Sequence, residues 1–270
     1  MRNTALVLVI FFILLFSYLE KAYCESPAEY ALVIIIDGLR PDAISKKNAP
    51  NLIGLIKESS YTPSAKTVNP PKTLPSHTSL VTGLVPKEHG TYKNEWNPEM
   101  GYTEFDTIFT IAKKEGFTTA MFVGKDKLNF IAVPNSIDNL YIVEYSPSSV
   151  KEISENFITY MEKNKPRMTL IHFPEPDIPG HKEGWMSKEY LNAVKRVDAE
   201  LGKIVAALKQ AGIYEKTFLV ITADHGGKGK THRGDHTEVT TIPWLAAGNQ
   251  VKKNYRIKEE VNIYDTAPTV

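Results

Sequence analysis

The chain has almost no cysteine: Cys24 is the only one among 270 residues. It lies at the end of an N-terminal segment that we expect to be removed, which would leave the mature protein without any. Disulfide bonds and thiolate metal ligands are then excluded. Any metal must be bound by aspartate and histidine, a donor set that suits zinc or another divalent first-row ion.

The chain also has no large excess of positive or negative charge. Lysine and arginine number 32, aspartate and glutamate 31. This balance gives no electrostatic reason to expect a nucleic acid polymer or a membrane surface as partner. The chain has no internal repeat and no linker long enough to divide domains. Its 42% hydrophobic content is typical of a globular protein, so residues 25–270 are predicted to form a single domain.

The apolar run Ala5–Phe16 is too short for a membrane span. It has 12 residues and follows Arg2, whereas a spanning helix needs about 20. This pattern is typical of a signal peptide. We predict that residues 1–24 are a signal peptide and that the protein is secreted or periplasmic. The alternative is an uncleaved N-terminal anchor, which would make the membrane a partner.

Predicted strands and helices alternate along the rest of the chain. Apolar, β-branched runs predict strands, and apolar residues at helical spacing predict helices. The strands or extended segments are Tyr30–Ile36, Tyr61–Val68, Thr118–Val123, Met168–Phe173, Thr217–Thr222 and Ile242–Ala246. The helices are Asn51–Glu58, Leu74–Val81, Thr107–Lys114, Ser148–Glu162 and Lys188–Ala211. This alternation favours an α/β fold with a mostly parallel central sheet and helices on both faces.

Two segments do not fit the alternation. Asp126–Pro147 has weak periodicity and is predicted to be a loop-rich insertion. Tyr264–Val270 has the pattern of a helix that is beginning. We therefore expect the C-terminal part of the domain to be truncated.

Acidic residues follow three of the predicted strands. Asp37 ends the first, Asp177 follows Met168–Phe173, and Asp224 with the adjacent His225 follows Thr217–Thr222. Active sites of open α/β sheets lie at the carboxyl ends of the strands, so these side chains are expected to converge. Taken singly, each acid is as well explained as a helix cap or turn former.

Further histidines lie near these acids. His181 is four positions after Asp177, with Pro179 and Gly180 between them, which favours a loop over a helical face. His232 lies in a polar, glycine-rich loop. Together the oxygen and nitrogen donors would be enough for two tetrahedral metal sites with open positions.

Thr73 is the candidate nucleophile. It lies where a turn passes into the helix Leu74–Val81, and free N–H groups at a helix N-terminus favour an anion. On local sequence alone, a simple N-cap role is favoured for this threonine.

Several short motifs follow one another in a fixed order. They are Val33–Pro41, Lys72–His77, Val81–Gly83, His89–Gly90 with Asn94, Glu175–Asp177 with Gly180–His181, Asp224–Gly226, and His232 with Ile242–Trp244. In order and spacing they resemble the nucleotide pyrophosphatase/phosphodiesterase branch of the alkaline phosphatase superfamily. The resemblance covers nearly all of the chain after the N-terminal segment and implies an alkaline-phosphatase-like catalytic domain.

The resemblance also implies two Zn²⁺ or other divalent ions. The ligands it implies for one ion are Asp37, Thr73, Asp224 and His225. Those for the other are Asp177, His181 and a late histidine, His232, with His236 as the alternative.

The implied activity is hydrolysis of phosphodiester or pyrophosphate bonds in a small phosphate ester. Thr73 would attack phosphorus and form a phosphothreonine, which water then hydrolyses. The Thr73 N–H and the Asn94 side chain would bind a phosphoryl oxygen.

Two departures from the family pattern bear on the substrate. Leu74 stands where many members have an aromatic residue that stacks on a nucleotide base, and His232 follows His225 by only seven residues. A phosphomonoesterase remains an alternative, although no arginine for its phosphate is identified. A sulfatase is disfavoured because Thr73 cannot become formylglycine. A truncated, non-catalytic metal-binding protein is the alternative of another class, and the sequence does not predict an oligomeric state.

Overall fold

The structure, a computed structural model, describes residues 28–270. The predicted signal peptide, residues 1–24, lies outside this range. Among the helices described, none has both the length and the apolar content required to cross a bilayer.

The described residues contain one eight-stranded sheet. The strands are β1 (Tyr30–Ile36), β2 (Ser60–Lys66), β3 (Thr119–Val123), β4 (Asn139–Ile142), β5 (Met168–Phe173), β6 (Thr217–Thr222), β7 (Thr241–Ala247) and β8 (Tyr255–Arg256). Their order is β4-β3-β5-β1-β6-β7-β2-β8. Only β7 runs antiparallel to its neighbours, β6 and β2. The prediction of a mostly parallel sheet is confirmed.

Helices cover both faces of this sheet. They are α1 (Pro50–Lys57), α2 (Thr73–Thr82), α3 (Pro86–His89), α4 (Ile108–Lys114), α5 (Ser149–Asn164), α6 (Asp177–Glu183), α7 (Lys188–Gln210), α8 (Thr237–Thr240) and α9 (Thr266–Thr269). Five short 3-10 helices are Pro41–Ala43, Pro98–Met100, Asp126–Ile131, Tyr214–Lys216 and Ile263–Asp265. One group of helices, α1, α5 and α7, packs together, and α2 contacts α4 in another.

The centre of the sheet is the core of the molecule. The strand β5 is buried along its whole length, and β1 is buried over its last five residues. Parallel strands covered on both faces need near-continuous apolar runs, which is why Leu32–Ile36 has no polar residue. The apolar stripe of α7 closes one face with buried residues that include Val194, Val197, Leu201 and Ile204.

The segment predicted to be loop-rich, Asp126–Pro147, is more regular than expected. It begins with the 3-10 helix Asp126–Ile131 and contains β4, which pairs in parallel with β3. The prediction missed β4, which is a four-residue edge strand that is only half buried. Such a strand has too few core contacts to produce a recognisable apolar pattern.

Four adjacent parallel strands end at the same edge of the sheet: β3, β5, β1 and β6. The residues that follow their carboxyl ends therefore lie side by side. They include Lys125, Asp177, Asp37 and Asp224.

Candidate metal centre

Three aspartates are buried together at this edge of the sheet. Asp37, Asp177 and Asp224 are 0%, 3% and 0% exposed. Gly38 allows their close approach: it has a φ of 73°, and a Cβ there would come within 2.9 Å of the Asp177 Cα. A residue with a side chain at position 38 would therefore push the acid-bearing segments apart.

Asp177 and His181 lie on a helix, and the prediction of a loop between them is wrong. The helix α6 begins at Asp177. Proline is tolerated in the first turn of a helix, so Pro179 does not break it. Gly180 is required because the Trp185 ring packs where its Cβ would be, 2.9 Å away. The spacing of four residues therefore places both donors on one helical face.

Asp37 and Asp177 each use one carboxylate oxygen for internal contacts. The Oδ2 of Asp37 accepts from His172 Nε2 at 2.9 Å and lies 2.7 Å from the Lys125 ammonium. The Oδ2 of Asp177 accepts from the same ammonium at 2.8 Å. The Oδ1 atoms of both aspartates are buried and have no hydrogen-bond partner among the described residues.

The two carboxylate oxygens of Asp224 also differ in their contacts. Its Oδ1 accepts from the backbone N–H of Gly38 at 3.1 Å and of His225 at 2.9 Å. Its Oδ2 is buried without a hydrogen-bond partner in the described part of the chain, as is His225 Nε2. Buried polar atoms are normally paired, because an unpaired one costs about 1–3 kcal/mol. The unpaired atoms thus mark a place for a cation.

The three histidines of the site share one hydrogen-bonding pattern. Each directs its Nδ1 at a backbone carbonyl oxygen, which fixes the proton on Nδ1 and leaves the Nε2 lone pair free for a cation. The pairs are His181 with Lys230 at 3.1 Å, His225 with Gly226 at 2.8 Å and His232 with Pro71 at 2.7 Å.

The separations between free donor atoms fit zinc coordination. In a tetrahedral zinc site with bonds of about 2.0–2.1 Å, two ligand atoms are about 3.3–3.4 Å apart. His181 Nε2 lies 3.4 Å from Asp177 Oδ1. His225 Nε2 lies 3.6 Å from Asp37 Oδ1 and 3.5 Å from Asp224 Oδ2. These three separations are close to those of two ligands on one tetrahedral zinc ion.

Two groups of donors can be distinguished. Ligand atoms of Asp177, His181 and His232 lie within 4.8 Å of one another, as do those of Asp37, Asp177 and His225. Aspartate and histidine donors without sulfur are what a zinc-type ion accepts. Asp177 belongs to both groups, and the residues present fit divalent-metal binding.

Of the two late histidines, the structure brings only His232 into this cluster. Its ring stacks on His225 with 3.8 Å between centroids and lies 4.9 Å from His181. His236 is exposed and precedes α8.

Thr73 is the first residue of α2 and is only 1% exposed. The N-cap is Lys72, so the N-cap interpretation of Thr73 is wrong. Its hydroxyl oxygen lies 3.4 Å from the Lys125 ammonium, which itself contacts two of the three aspartates. The Asn94 side chain lies beside it, where Oδ1 accepts from the Leu74 N–H at 2.9 Å.

Lys125 is a site residue that the sequence motifs do not identify. It follows β3 in the way that Asp37 follows β1, so the strand-end argument applies to it equally. Gly124 precedes it, and a Cβ there would lie 2.5 Å from the Pro174 ring. The backbone before the lysine is therefore closely confined.

Two buried histidines, His77 and His172, lie behind the donor atoms. His172 donates from Nε2 to Asp37, and its Nδ1 accepts from the Gly124 N–H at 3.4 Å. His77 places its Nδ1 2.8 Å from the Thr73 carbonyl oxygen. A histidine within the apolar strand β5 is the sequence signal that identifies His172.

The charged groups of the cluster shift one another's pKa values. Burial alone would raise the pKa of Asp37, but the Lys125 ammonium, His172 and His225 together outweigh it and hold that pKa well below its ordinary value. Burial and the neighbouring Asp37 charge raise the pKa of Asp224 to about 7. Burial and the charge of His225 lower the pKa of His232 to about 4. His232 is therefore neutral near neutral pH, the form that binds metals.

A cavity of about 510 Å³ opens beside Thr73. Leu74, the residue after the threonine, lines it together with the aromatic side chains of Tyr92, Tyr102, Phe105 and Phe130. Ligand pockets typically have about 300–1,000 Å³. A small organic group therefore fits in the cavity that Leu74 lines.

The chain is similar to known proteins in sequence and in fold. The sequence model of type I phosphodiesterases / nucleotide pyrophosphatases matches residues 31–241. Bis(5'-adenosyl)-triphosphatase enpp4 of Mus musculus is 31% identical over 224 residues, which cover 75% of this chain and 48% of the relative. Ectonucleotide pyrophosphatase/phosphodiesterase family member 1 of Homo sapiens is 25% identical over 243 residues, covering 77% and 26%. The chain spans half or less of the length of these relatives.

A solved structure shares the fold. It is murine ectonucleotide pyrophosphatase / phosphodiesterase 5, an inactive form in complex with AMP, with a TM-score of 0.75 and 18% identity over 89% of this chain and 93% of that one. The chain belongs to the type I phosphodiesterase / nucleotide pyrophosphatase family, in the nucleotide pyrophosphatase/phosphodiesterase branch of the alkaline phosphatase superfamily.

Proposed function

We propose that this protein hydrolyses phosphodiester or pyrophosphate bonds of a small phosphate ester, with Thr73 as the nucleophile beside two divalent ions, preferably zinc. One observation carries the proposal. Buried carboxylate oxygens and a histidine nitrogen without partners lie at zinc-ligand separations, and the Lys125 ammonium contacts two of these carboxylates as well as the Thr73 hydroxyl.

Each ion has its own set of ligands in this proposal. Asp37, Thr73, Asp224 and His225 would bind one, and Asp177, His181 and His232 the other. Ions bound in this way would supply Lewis-acid stabilisation of the attacking and leaving oxygens and would lower the pKa of a bound hydroxyl.

The reaction of the chain's own residues then has two displacements. The Thr73 Oγ1 forms a bond to phosphorus, and the bond from phosphorus to the leaving oxygen breaks, with its electron pair going to that oxygen. The hydroxyl proton of Thr73 is released to solvent in this first displacement. Water then attacks phosphorus, the bond to Oγ1 breaks with its electron pair going to Oγ1, and Oγ1 takes up one proton from that water. Two in-line displacements give net retention at phosphorus.

Thr73 and Asn94 would stabilise the charge that develops on the phosphoryl oxygens. As the first helical residue, Thr73 has a backbone N–H with no partner inside α2. The bond from the Leu74 N–H to Asn94 Oδ1 orients the amide and leaves its NH₂ group to donate. Donors fixed in advance at such positions contribute strongly to catalysis.

The cavity beside Thr73 would hold the organic part of the substrate. Leu74 has no aromatic face, but the rings of Tyr92, Tyr102, Phe105 and Phe130 offer several. A nucleotide is the organic group we favour, since the relatives' names refer to adenosyl and nucleotide substrates. Export through a signal peptide in residues 1–24, to the exterior or periplasm, also belongs to this proposal.

The function is tested by comparing Thr73→Ala with Thr73→Ser in hydrolysis of bis(4-nitrophenyl) phosphate, with zinc content measured on the same samples. Loss of the nucleophile is expected to lower kcat by ~10³-fold or more, while the serine variant retains turnover. At least one zinc per chain should remain in the alanine variant. Equal rates in wild type and Thr73→Ala would remove Thr73 from the mechanism.

A further inference from the structure

The ammonium group of Lys125 lies in the middle of the candidate site. It is 2.7 Å from Asp37 Oδ2, 2.8 Å from Asp177 Oδ2 and 3.4 Å from Thr73 Oγ1. The side chain is only 15% exposed. A lysine ammonium has three N–H donors, and two of them are engaged by the carboxylates. The third is directed toward the nucleophile.

Lys125 and the proposed metal ions do not compete for the same atoms. The lysine contacts the Oδ2 atoms of Asp37 and Asp177, whereas the unpaired atoms of these residues are Oδ1. Each carboxylate can therefore bind the lysine with one oxygen and a metal with the other.

Neighbouring backbone and side-chain groups hold Lys125 in position. The Gly124 N–H donates to His172 Nδ1, and His172 donates in turn to Asp37, one of the two carboxylates that bind the lysine. Pro174 leaves no space for a side chain at Gly124. A cation held in this way changes little in position when a substrate binds.

We propose that Lys125 is a catalytic residue that binds a non-bridging oxygen of the transferring phosphoryl group, and that it extends the substrate class to terminal phosphate esters. The inference rests on the proposed function, because it takes Thr73 as the atom that phosphorus joins. Phosphorus is one bond beyond Oγ1 and its non-bridging oxygens are two bonds beyond it, and Oγ1 is 3.4 Å from the Lys125 ammonium, so these oxygens come within reach of its third N–H.

The charge of the transferring phosphoryl group explains why Lys125 would extend the substrate class to terminal phosphate esters. The phosphoryl group of a diester carries one negative charge, whereas that of a monoester carries nearly two above pH ~7. A fixed ammonium stabilises the doubly charged group more, since the interaction scales with the product of the charges. A phosphomonoesterase needs a cation for the non-bridging oxygens, and the sequence does not identify an arginine for this role. Lys125 supplies that cation.

The test uses zinc-loaded wild type, Lys125→Met and Lys125→Arg, with Lys127→Met as matched control. Lys127 is two residues further on and makes no hydrogen bond or ion pair with Thr73 or the two aspartates, although its charge acts on both aspartates from a distance. Hydrolysis of 4-nitrophenyl phosphate and bis(4-nitrophenyl) phosphate is compared at pH ~8, where the monoester is doubly charged. Zinc content by mass spectrometry and calorimetric binding of inorganic phosphate are measured on the same preparations.

We expect Lys125→Met to lower kcat/KM for the monoester about tenfold more than for the diester, the loss of one charge-assisted hydrogen bond. Its affinity for inorganic phosphate should fall by a similar factor, with zinc content unchanged. Lys125→Arg and Lys127→Met should keep the monoester-to-diester ratio within about threefold of wild type because the charge at the phosphoryl group is kept.

Three results would overturn the inference. The first is an equal decrease in kcat/KM for both substrates in Lys125→Met, and the second is no decrease for either. The third is a decrease accompanied by loss of zinc, which would mean that Lys125 only positions the two carboxylates. If Lys125→Met does not fold, a changed substrate ratio in Lys125→Arg decides against it. Wild type that binds zinc and phosphate but hydrolyses neither ester would instead refute the proposed function.

Discussion

At the residue scale, the main feature of the site is that the two polar atoms of each aspartate or histidine side chain have different roles. Each buried aspartate uses one oxygen for protein contacts and presents the other, unpaired, to its neighbours. Each of the three histidines does the same with its two nitrogens. The contacts of the first atom hold the second in place, which is how surrounding residues orient metal ligands.

The pair His232 and His236 gives a test at this scale. His232→Ala should remove one bound zinc per chain, because the ring stacks in the cluster and its Nδ1 is engaged by the Pro71 carbonyl. His236→Ala should leave zinc content unchanged, because that side chain is exposed and lies outside the cluster. Zinc content after gel filtration measures both, and loss of zinc from His236→Ala alone would reverse the assignment.

Much of the candidate site follows from the sequence, because parallel strands place their carboxyl ends at one edge. Asp37, Asp177 and Asp224 are predicted in this way, and the structure brings them together. Lys125 obeys the same rule, but a lysine near a weakly periodic segment gives no signal of its own. The N-cap role expected for Thr73 is wrong by one residue, since local sequence does not fix where a helix begins.

At the scale of elements, α6 shows where local propensity is overridden by packing. The proline and glycine in Asp177–His181 favour a loop by composition, yet the segment is helical. The glycine is there because the Trp185 ring fills the space beside it. Trp185 also donates from Nε1 to the Gly38 carbonyl at 2.9 Å, which joins the helix to the turn after β1. Such long-range contacts cannot be read from a local pattern.

Two helical glycines give a matched comparison of this packing. Gly180→Ala should lower the free energy of unfolding by ~1–3 kcal/mol, because its Cβ would come within 2.9 Å of Trp185. Gly54→Ala in α1 should raise it by ~0.5–1 kcal/mol, because nothing lies within 4 Å of its Cβ. Urea unfolding measures both changes. Equal effects of the two substitutions would contradict this account of α6.

The contact between β3, α4 and the start of β4 depends on Asp138. Its carboxylate accepts from the Thr119 N–H at 2.8 Å and from Lys113 at 2.7 Å. Burial alone would raise the pKa of Asp138, but Lys113 and Thr119 outweigh it and lower that pKa. The charged form is thus favoured in the folded state. Its stabilisation is present above the unfolded value of about 4 and is lost as the pH falls through the lower folded value.

Asp138→Asn is therefore expected to lower stability by ~0.5–1 kcal/mol at pH ~7, a modest value because the side chain is partly exposed. The difference between variant and wild type should begin to shrink below pH ~4 and should go on shrinking as the pH falls through the lower folded pKa. Urea unfolding of both proteins across this range measures it. A difference that stays constant down to pH ~3 would show that the carboxylate charge has no role.

At the scale of the whole molecule, the fold and the site are two results of one topology. The apolar strands β1, β5 and β6 form the core, and the same parallel order collects their acidic ends. The class of fold could be predicted because long buried strands and amphipathic helices carry strong patterns. The edge strand β4 and the helix α6 could not, since each depends on neighbours that are distant in sequence.

Metal binding is expected to stabilise the whole molecule. The unpaired atoms of the site cost free energy in the metal-free protein, and zinc binds only when they are brought together. At a zinc concentration about 1,000 times Kd, one site adds ~4 kcal/mol, and Tm should rise by ~8 °C or more. Thermal unfolding with zinc and with chelator measures this. The double variant Asp37→Asn with Asp177→Asn should lose most of the increase, and a full increase in it would locate the zinc elsewhere.

The central claim is tested most directly by an anomalous difference map, at the zinc absorption edge, of a crystal of the zinc-equilibrated protein. The account predicts two peaks at this edge of the sheet, each with ligand atoms at about 2.0–2.2 Å. One should lie among Asp37, Thr73, Asp224 and His225, and the other among Asp177, His181 and His232. Peaks only at other surface groups, or none at the ends of β1, β5 and β6, would contradict it.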